Sequence, residues 1–130
     1  MKQIATEADE QRALFRWKRL MQGHIPELQL MWHTPNGGSR NPLEARNLRL
    51  EGVTPGVPDI FLAVPRGGYH GLFIELKRVK GGRVSDEQRG MLDALNRQGY
   101  LAVVCKGWHE ASGVIMGYLG AETIADFRDL

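Results

Sequence analysis

The stretch from Pro58 to Lys77, PDIFLAVPRGGYHGLFIELK, decides how this chain is read. Pro58 to Pro65 and Leu72 to Arg78 are apolar runs bounded by Pro and Gly, and each is predicted as a strand. Only Arg66 to Gly71 separates them, so the two strands form an antiparallel hairpin. Side chains alternate along a strand. Leu72, Ile74 and Leu76 therefore share the core face, while Glu75 and Lys77 share the other. A charged pair on one face of an otherwise apolar strand is a costly arrangement and calls for a reason. Pairing residue 59 with 77, and 61 with 75, would set Asp59 across from Lys77 and diagonal to Glu75.

Outward from the hairpin, the chain alternates helices and strands. Thr6 to Leu20 is predicted as a helix, with a capping-box start at Thr6 and Asp9. Its apolar stripe is Ala13, Leu14, Trp17, Leu20 and Met21. Leu28 to His33 alternates and is predicted as a strand, with Leu28, Leu30 and Trp32 on one side. Thr34 to Gly38 is a turn by composition, and Asn41-Pro42 opens a short helix to Glu51. After the hairpin, Lys80 to Val84 is a Gly-rich loop. Ser85 and Gln88 then form a full capping box, and the helix runs to Gln98 with Gly99 as its stop. Tyr100 to Lys106 is predicted as a strand buried on both faces. A last helix covers Trp108 to Leu119. The expected fold is α/β, a central mixed sheet flanked by helices, in one domain spanning residues 1–130.

Composition sets the outer bounds. The chain has 130 residues, 42% hydrophobic and 25% charged, the profile of a globular protein large enough to bury its own core. No apolar run approaches the ~20 residues of a membrane helix, so no membrane partner is expected. Without an apolar signal core at the N-terminus, a cytoplasmic location is expected. The single cysteine, Cys105, excludes an internal disulfide and a cysteine-built zinc site, and it reads as a small core residue. A net charge of +2 is too mild to announce a nucleic-acid binder, but its distribution is uneven. Arg66, Lys77, Arg78, Lys80 and Arg83 face one acid, Glu75, and the sign reverses after His109.

Two carboxylates and an amine at one spot suit one chemistry. Asp59 and Glu75 offer hard oxygen ligands for Mg²⁺ or Mn²⁺, and the backbone carbonyl of Leu76 between Glu75 and Lys77 offers another. Such a metal acidifies a water and neutralises charge on a phosphoryl oxygen. Lys77 can orient that water or stabilise the phosphorane. Glu-X-Lys alone in a strand is most often a surface ion pair. The preceding Pro-Asp, the apolar opposite face and the basic loop that follows tip the reading toward chemistry. Two rivals stay open: a DNA-binding module of the same fold without turnover, and a metal-free protein in which the three residues form a salt-bridge cluster.

Taken together, the motifs bring a family into view. The Pro-Asp, Glu-X-Lys pattern resembles the PD-(D/E)XK nuclease superfamily with its restriction-endonuclease-like fold. More narrowly, the chain is similar to VRR-NUC nucleases, the small stand-alone type found in bacteriophages. The likeness runs through Thr6-Glu7, Gln11, His33 to Arg40, Glu51 to Asp59, Tyr69 to Lys77, Val84 to Gln88 and Gln98 to Tyr100. It implies a divalent-metal-dependent DNA endonuclease, with Asp59 and Glu75 as metal ligands, Lys77 as the catalytic lysine, and Glu7 and Gln88 as further site residues. It also implies a homodimer acting on structured or branched DNA in the manner of a Holliday-junction resolvase, with a flap-directed or general nuclease as the alternative. Val53-Thr54-Pro55 before Gly56 departs from the family's usual loop.

Other residues carry two readings each. Glu7 in a first helical turn is stabilised by the helix dipole whether or not it serves the site. Glu10 lies one turn away on nearly the same face, and Glu7 is preferred for the family likeness. Gln88 is explained by its cap alone. His33, Asn36 and Arg40 around the Gly-rich turn, and Lys80 and Arg83 in the basic loop, are either solvated turn residues or DNA phosphate contacts. The four histidines show no metal-ligand spacing. Trp17, Trp32 and Trp108 read as core or dimer-interface anchors before they read as base-stacking platforms.

Overall fold

Helix α1 (Glu7–Met21) begins at Thr6, whose hydroxyl accepts from the Asp9 amide at 3.1 Å while the Asp9 carboxylate accepts from the Thr6 amide at 2.9 Å. The computed structural model describes residues 4–35 and 41–120. Carboxylates in the first turn of α1 and Lys18 and Arg19 in its last turn both suit the helix dipole. A 3₁₀ turn, Pro26–Leu30, follows and leads into β1 (Met31–His33). Helix α2 (Pro42–Leu50) starts at Asn41, whose Oδ1 accepts from the amides of Leu43 and Glu44, and it buries no residue. Then come β2 (Ile60–Leu62), β3 (Leu72–Lys77), α3 (Asp86–Arg97), β4 (Leu101–Lys106) and α4 (Trp108–Gly120).

The four strands form one sheet in the order β1-β2-β3-β4. The first two pairings are antiparallel and β4 joins β3 in parallel, with α3 as the crossover. One face carries Met31, Ile60, Leu62, Leu72, Ile74, Leu76 and Cys105. These pack under α1 and α4, where Leu14, Ala111, Ile115 and Tyr118 are fully buried. The Tyr118 hydroxyl donates to the Val64 carbonyl and so satisfies its own burial. Helix α3 packs against β4, and the Asn96 side chain bonds both the carbonyl and the amide of Ala102. Helices α1 and α4 are tied by Glu10, only 6% exposed, whose Oε1 accepts from the Trp108 amide at 3.1 Å. Among the described residues no helix is long and apolar enough to cross a membrane.

Several expectations need correction. The predicted strand from Leu28 shrinks to Met31–His33, because Pro26 at the first position starts a 3₁₀ turn that drops Leu28 into the core. The predicted strand Pro58–Pro65 keeps only Ile60–Leu62 in the ladder. The hairpin register is also two residues off. Ile60 pairs with Ile74 and Phe61 with Phe73, so residue 61 does not face 75. Strand β4 is covered on both faces, with Ala102 buried on one and Cys105 on the other, although Leu101, Val103 and Val104 are only partly buried and Lys106 is exposed. Trp17 and Trp108 pack against the core as expected, whereas Trp32 is 46% exposed.

Candidate active site

The site forms where β2 and β3 separate. With Ile60 opposite Ile74, the register sets Asp59 across from Glu75, one step beyond the ladder. The Asp59 backbone is pinned by β1, since its carbonyl accepts from the Thr34 amide at 2.7 Å and lies 3.0 Å from His33 Nδ1. Its carboxylate is aimed at β3 and accepts from the Leu76 amide at 2.8 Å. An amide and a carbonyl of one strand residue point to the same neighbouring strand. The Leu76 carbonyl therefore faces the same side as Asp59.

Glu75 is 2% exposed. Its Oε1 accepts from Gln88 Nε2 at 2.9 Å and lies 3.5 Å from Lys77 Nζ. Its Oε2 is buried and accepts no hydrogen bond among the described residues, and the Asp59 carboxylate lies within hydrogen-bond reach of the carboxyl. Burial first, and the charge of Asp59 second, push the Glu75 carboxyl up to about 8, against the smaller opposing pull of Lys77. Lys77 is 5% exposed and has a second carboxylate near it, Glu7 at 3.8 Å. Gly82 folds back on the lysine stem, so that a Cβ there would come within 2.9 Å of Lys77 Cβ and of the Arg78 carbonyl.

Gln88 serves two structures at once. Its Oε1 accepts from the Ser85 amide at 2.9 Å and its amide donates to Ser85 Oγ at 3.1 Å, which completes the capping box of α3. Its Nε2 remains free of the cap and reaches Glu75. The loop leading to Asp59 rests on the same turn. Gly56 takes a φ of +84°, and a Cβ there would lie 2.6 Å from the Glu87 carbonyl. Only glycine lets this loop seat against the start of α3.

A cavity of about 310 Å³ opens beside these groups, lined by Glu7, Gln11, Arg12, His33, Asp59 and Leu76 among others. Glu7 therefore faces the site, while Glu10 turns to α4 as its cap. Sequence reasoning assigns Gln11 and Arg12 no role in the site, although Gln11 stands one helical turn after Glu7 and that spacing places it on the same face. His33 lines the cavity and holds the Asp59 backbone. Asn36 and Arg40 lie outside the described residues. Lys80 and Arg83 lie on the loop after β3 and do not line the cavity.

The donor set fits one kind of metal. Among the described residues no three His, Cys, Asp or Glu side chains come together as a ready metal cage. Two carboxylates and a carbonyl, all hard oxygens, match Mg²⁺ or Mn²⁺, which keep several waters, and do not match zinc. Asp59 and Glu75 stand close enough to share a proton, which a cation between them would displace.

The model of one family, the VRR-NUC domain, matches residues 5–109. The chain belongs to the VRR-NUC family. VRR-NUC is a nuclease-type family, and the matched segment contains Glu7, Asp59, Glu75, Lys77 and Gln88. A solved structure described as a VRR_NUC domain protein is 27% identical, covering 95% of this chain and 94% of its own, with a TM-score of 0.76. No curated protein matches the chain. The mixed sheet with helices on it, expected from sequence, is thus a VRR-NUC fold.

Proposed function

We propose that this VRR-NUC protein is a divalent-metal-dependent DNA endonuclease that hydrolyses phosphodiester bonds. The observation that carries the reading is Glu75. It is an acid buried between Asp59, Lys77 and Gln88, behind the cavity that Asp59 and Leu76 line. Lys77 does not fully offset the burial of Glu75 beside the charge of Asp59, and a cation bound between the two carboxylates would.

In this reading Asp59, Glu75 and the Leu76 carbonyl would hold Mg²⁺ or Mn²⁺, with Glu7 beside Lys77 at the cavity wall. The ion supplies an acidified water and neutralises charge on the phosphoryl oxygen. Gln88 fixes the rotamer of Glu75 through its side-chain amide. Lys77, held by Glu75 and Glu7, donates toward the attacking oxygen or the charge that develops on phosphorus. His33 fixes the backbone that aims Asp59. Lys80 and Arg83, with Arg12 at the cavity mouth, contact phosphates along the DNA. The reading extends to branched or structured DNA as substrate, and to a homodimer placing one cut on each of two strands, as the family resemblance implies.

The test is cleavage of labelled four-way junction, flap, single-stranded and linear duplex DNA with Mg²⁺, with Mn²⁺ and with EDTA. Lys77→Ala and Asp59→Ala run alongside. Metal-dependent cleavage that disappears in both folded variants is expected. Full activity in either variant would overturn the assignment. Binding of DNA without cleavage of any substrate would point to a non-catalytic module of the same fold.

A further inference from the structure

The sheet face that carries Glu75 and Lys77 does not end at the site. Residues on one face recur every second position, about 6.6 Å apart along a strand. On β3 that face presents Lys77, then Glu75, then Phe73. The parallel pairing sets Lys106 of β4 beside Lys77. The antiparallel pairings set Phe61 beside Phe73 and Trp32 beside Phe61. The face is therefore banded across the sheet, with two lysines, then the carboxylates of the site, then a row of aromatic rings.

The aromatic row is built as a support for its outermost member. Phe61 and Phe73 stack at 4.2 Å between centroids, only 20° from parallel. Trp32 stands edge-on against Phe61 at 5.2 Å and 82°. Tyr100 closes the other end against Phe73 at 5.2 Å. The two phenyl rings are partly buried, while Trp32 on the edge strand is 46% exposed and belongs to no part of the core. An indole braced from below and open to solvent is a poor core residue and a good stacking surface. By ideal sheet spacing it stands about 12 Å from Glu75, one row along and two strands across.

We infer that Trp32, braced by Phe61 and Phe73, is a stacking platform for an unpaired nucleobase one or two nucleotides from the scissile phosphate. Two features favour a nucleic-acid strand over another occupant. The platform is continuous with the candidate active site on one sheet face, and the exposed Lys106 at the far end of that face matches a phosphate in charge. A base inside a duplex hides its faces in its neighbours, so this platform selects DNA with unpaired nucleotides. The inference rests on the nuclease reading and deepens it, since it names the feature of the DNA that the site prefers.

The test measures binding apart from cleavage. Affinities for a 20-nucleotide oligothymidine and for a blunt duplex are measured in EDTA, for the native protein, Trp32→Ala and Trp32→Tyr. The same proteins are assayed for metal-dependent cleavage of a flap and a duplex. Expected is a loss of roughly tenfold or more in affinity for the single strand with Trp32→Ala, as for other base-stacking aromatics. Trp32→Tyr restores most of it, and the duplex is bound equally by all three. Oligothymidine should also quench tryptophan fluorescence in the native protein and much less in Trp32→Ala. Normal cleavage with unchanged single-strand affinity in Trp32→Ala would overturn the platform and leave the nuclease standing. Sedimentation of Trp32→Ala as a smaller species, with unchanged single-strand affinity, would assign Trp32 to contact with a second copy and also overturn it. Absence of both binding and cleavage in the native protein would remove the nuclease reading and the platform with it.

Discussion

Glu75→Gln separates what the site does for chemistry from what it costs the fold. Burial and the neighbouring Asp59 raise the Glu75 carboxyl from an ordinary 4.5 to about 8. The folded protein therefore holds a proton that the unfolded chain releases over that interval. Stability is fully present below about 4.5 and falls as pH rises through about 8. A tenfold change in proton affinity corresponds to about 1.4 kcal/mol, so this rise sets a ceiling on the order of 5 kcal/mol, and local relaxation reduces it to a few. Glutamine has the same shape without the charge. It can still accept from Gln88, and its amide can donate to Asp59 in place of the Glu75 proton. Denaturant unfolding in EDTA, at intervals from about pH 5 to about pH 8, should show the native protein losing stability relative to the variant. By about pH 8 the variant should be the more stable by about 2–4 kcal/mol. Titrating groups away from Glu75 cancel in the difference, while Asp59 and Lys77 beside it belong to the effect measured. Adding Mg²⁺ at that upper pH should raise the stability of the native protein and leave the variant unchanged. A pH-independent difference between the two, or a variant less stable at the upper pH, would refute the claim that Glu75 is a strained acid awaiting a cation.

Three further outcomes are expected. Gln88→Glu keeps the capping box of α3 but sets a second carboxylate against Glu75, so it should abolish cleavage and cost about 1–3 kcal/mol near neutral pH, with the cost shrinking at about pH 5, as read by denaturation at the two pH values. Gly56→Ala meets both a positive φ and the Glu87 carbonyl, and should cost about 2–3 kcal/mol in thermal or denaturant unfolding. Replacing Lys80 and Arg83 together with alanine should weaken DNA binding most at low salt and reduce the slope of log affinity against log salt by up to about 2, checked by a salt titration.

Much of this architecture was legible because its signals are local. The Thr6–Asp9 and Ser85–Gln88 boxes lie within four residues of sequence, and both helices begin there. The pairing of Glu75 with Lys77 on one face follows from the period of a strand alone. That pairing survives a wrong register, because a slip of two residues exchanges partners without turning any side chain to the other face. The slip itself was not legible, since a hairpin loop with its own Arg66–Tyr69 bridge does not announce where the ladder starts. Nor was the choice between Glu7 and Glu10. Both lie on one turn, and what separates them is a distant amide, Trp108, that takes Glu10 as a cap. The exposure of Trp32 was hidden for a similar reason. Its alternating neighbours suggest a buried face, and only the full sheet shows that α3 stops at β4 and leaves the other edge open.

The Glu10 cap also sets the order in which the site is assembled. It joins residues 98 positions apart, and the helix it anchors carries Glu7, the carboxylate beside Lys77. Chains emerge from the ribosome N-terminal end first. While residues up to Lys77 are outside and Trp108 is still within the exit tunnel, α1 has no fixed seat and the parallel partner of β3 is missing. Contacts of such long sequence separation form late. A nascent chain therefore carries Asp59, Glu75 and Lys77 before the frame that positions them is complete.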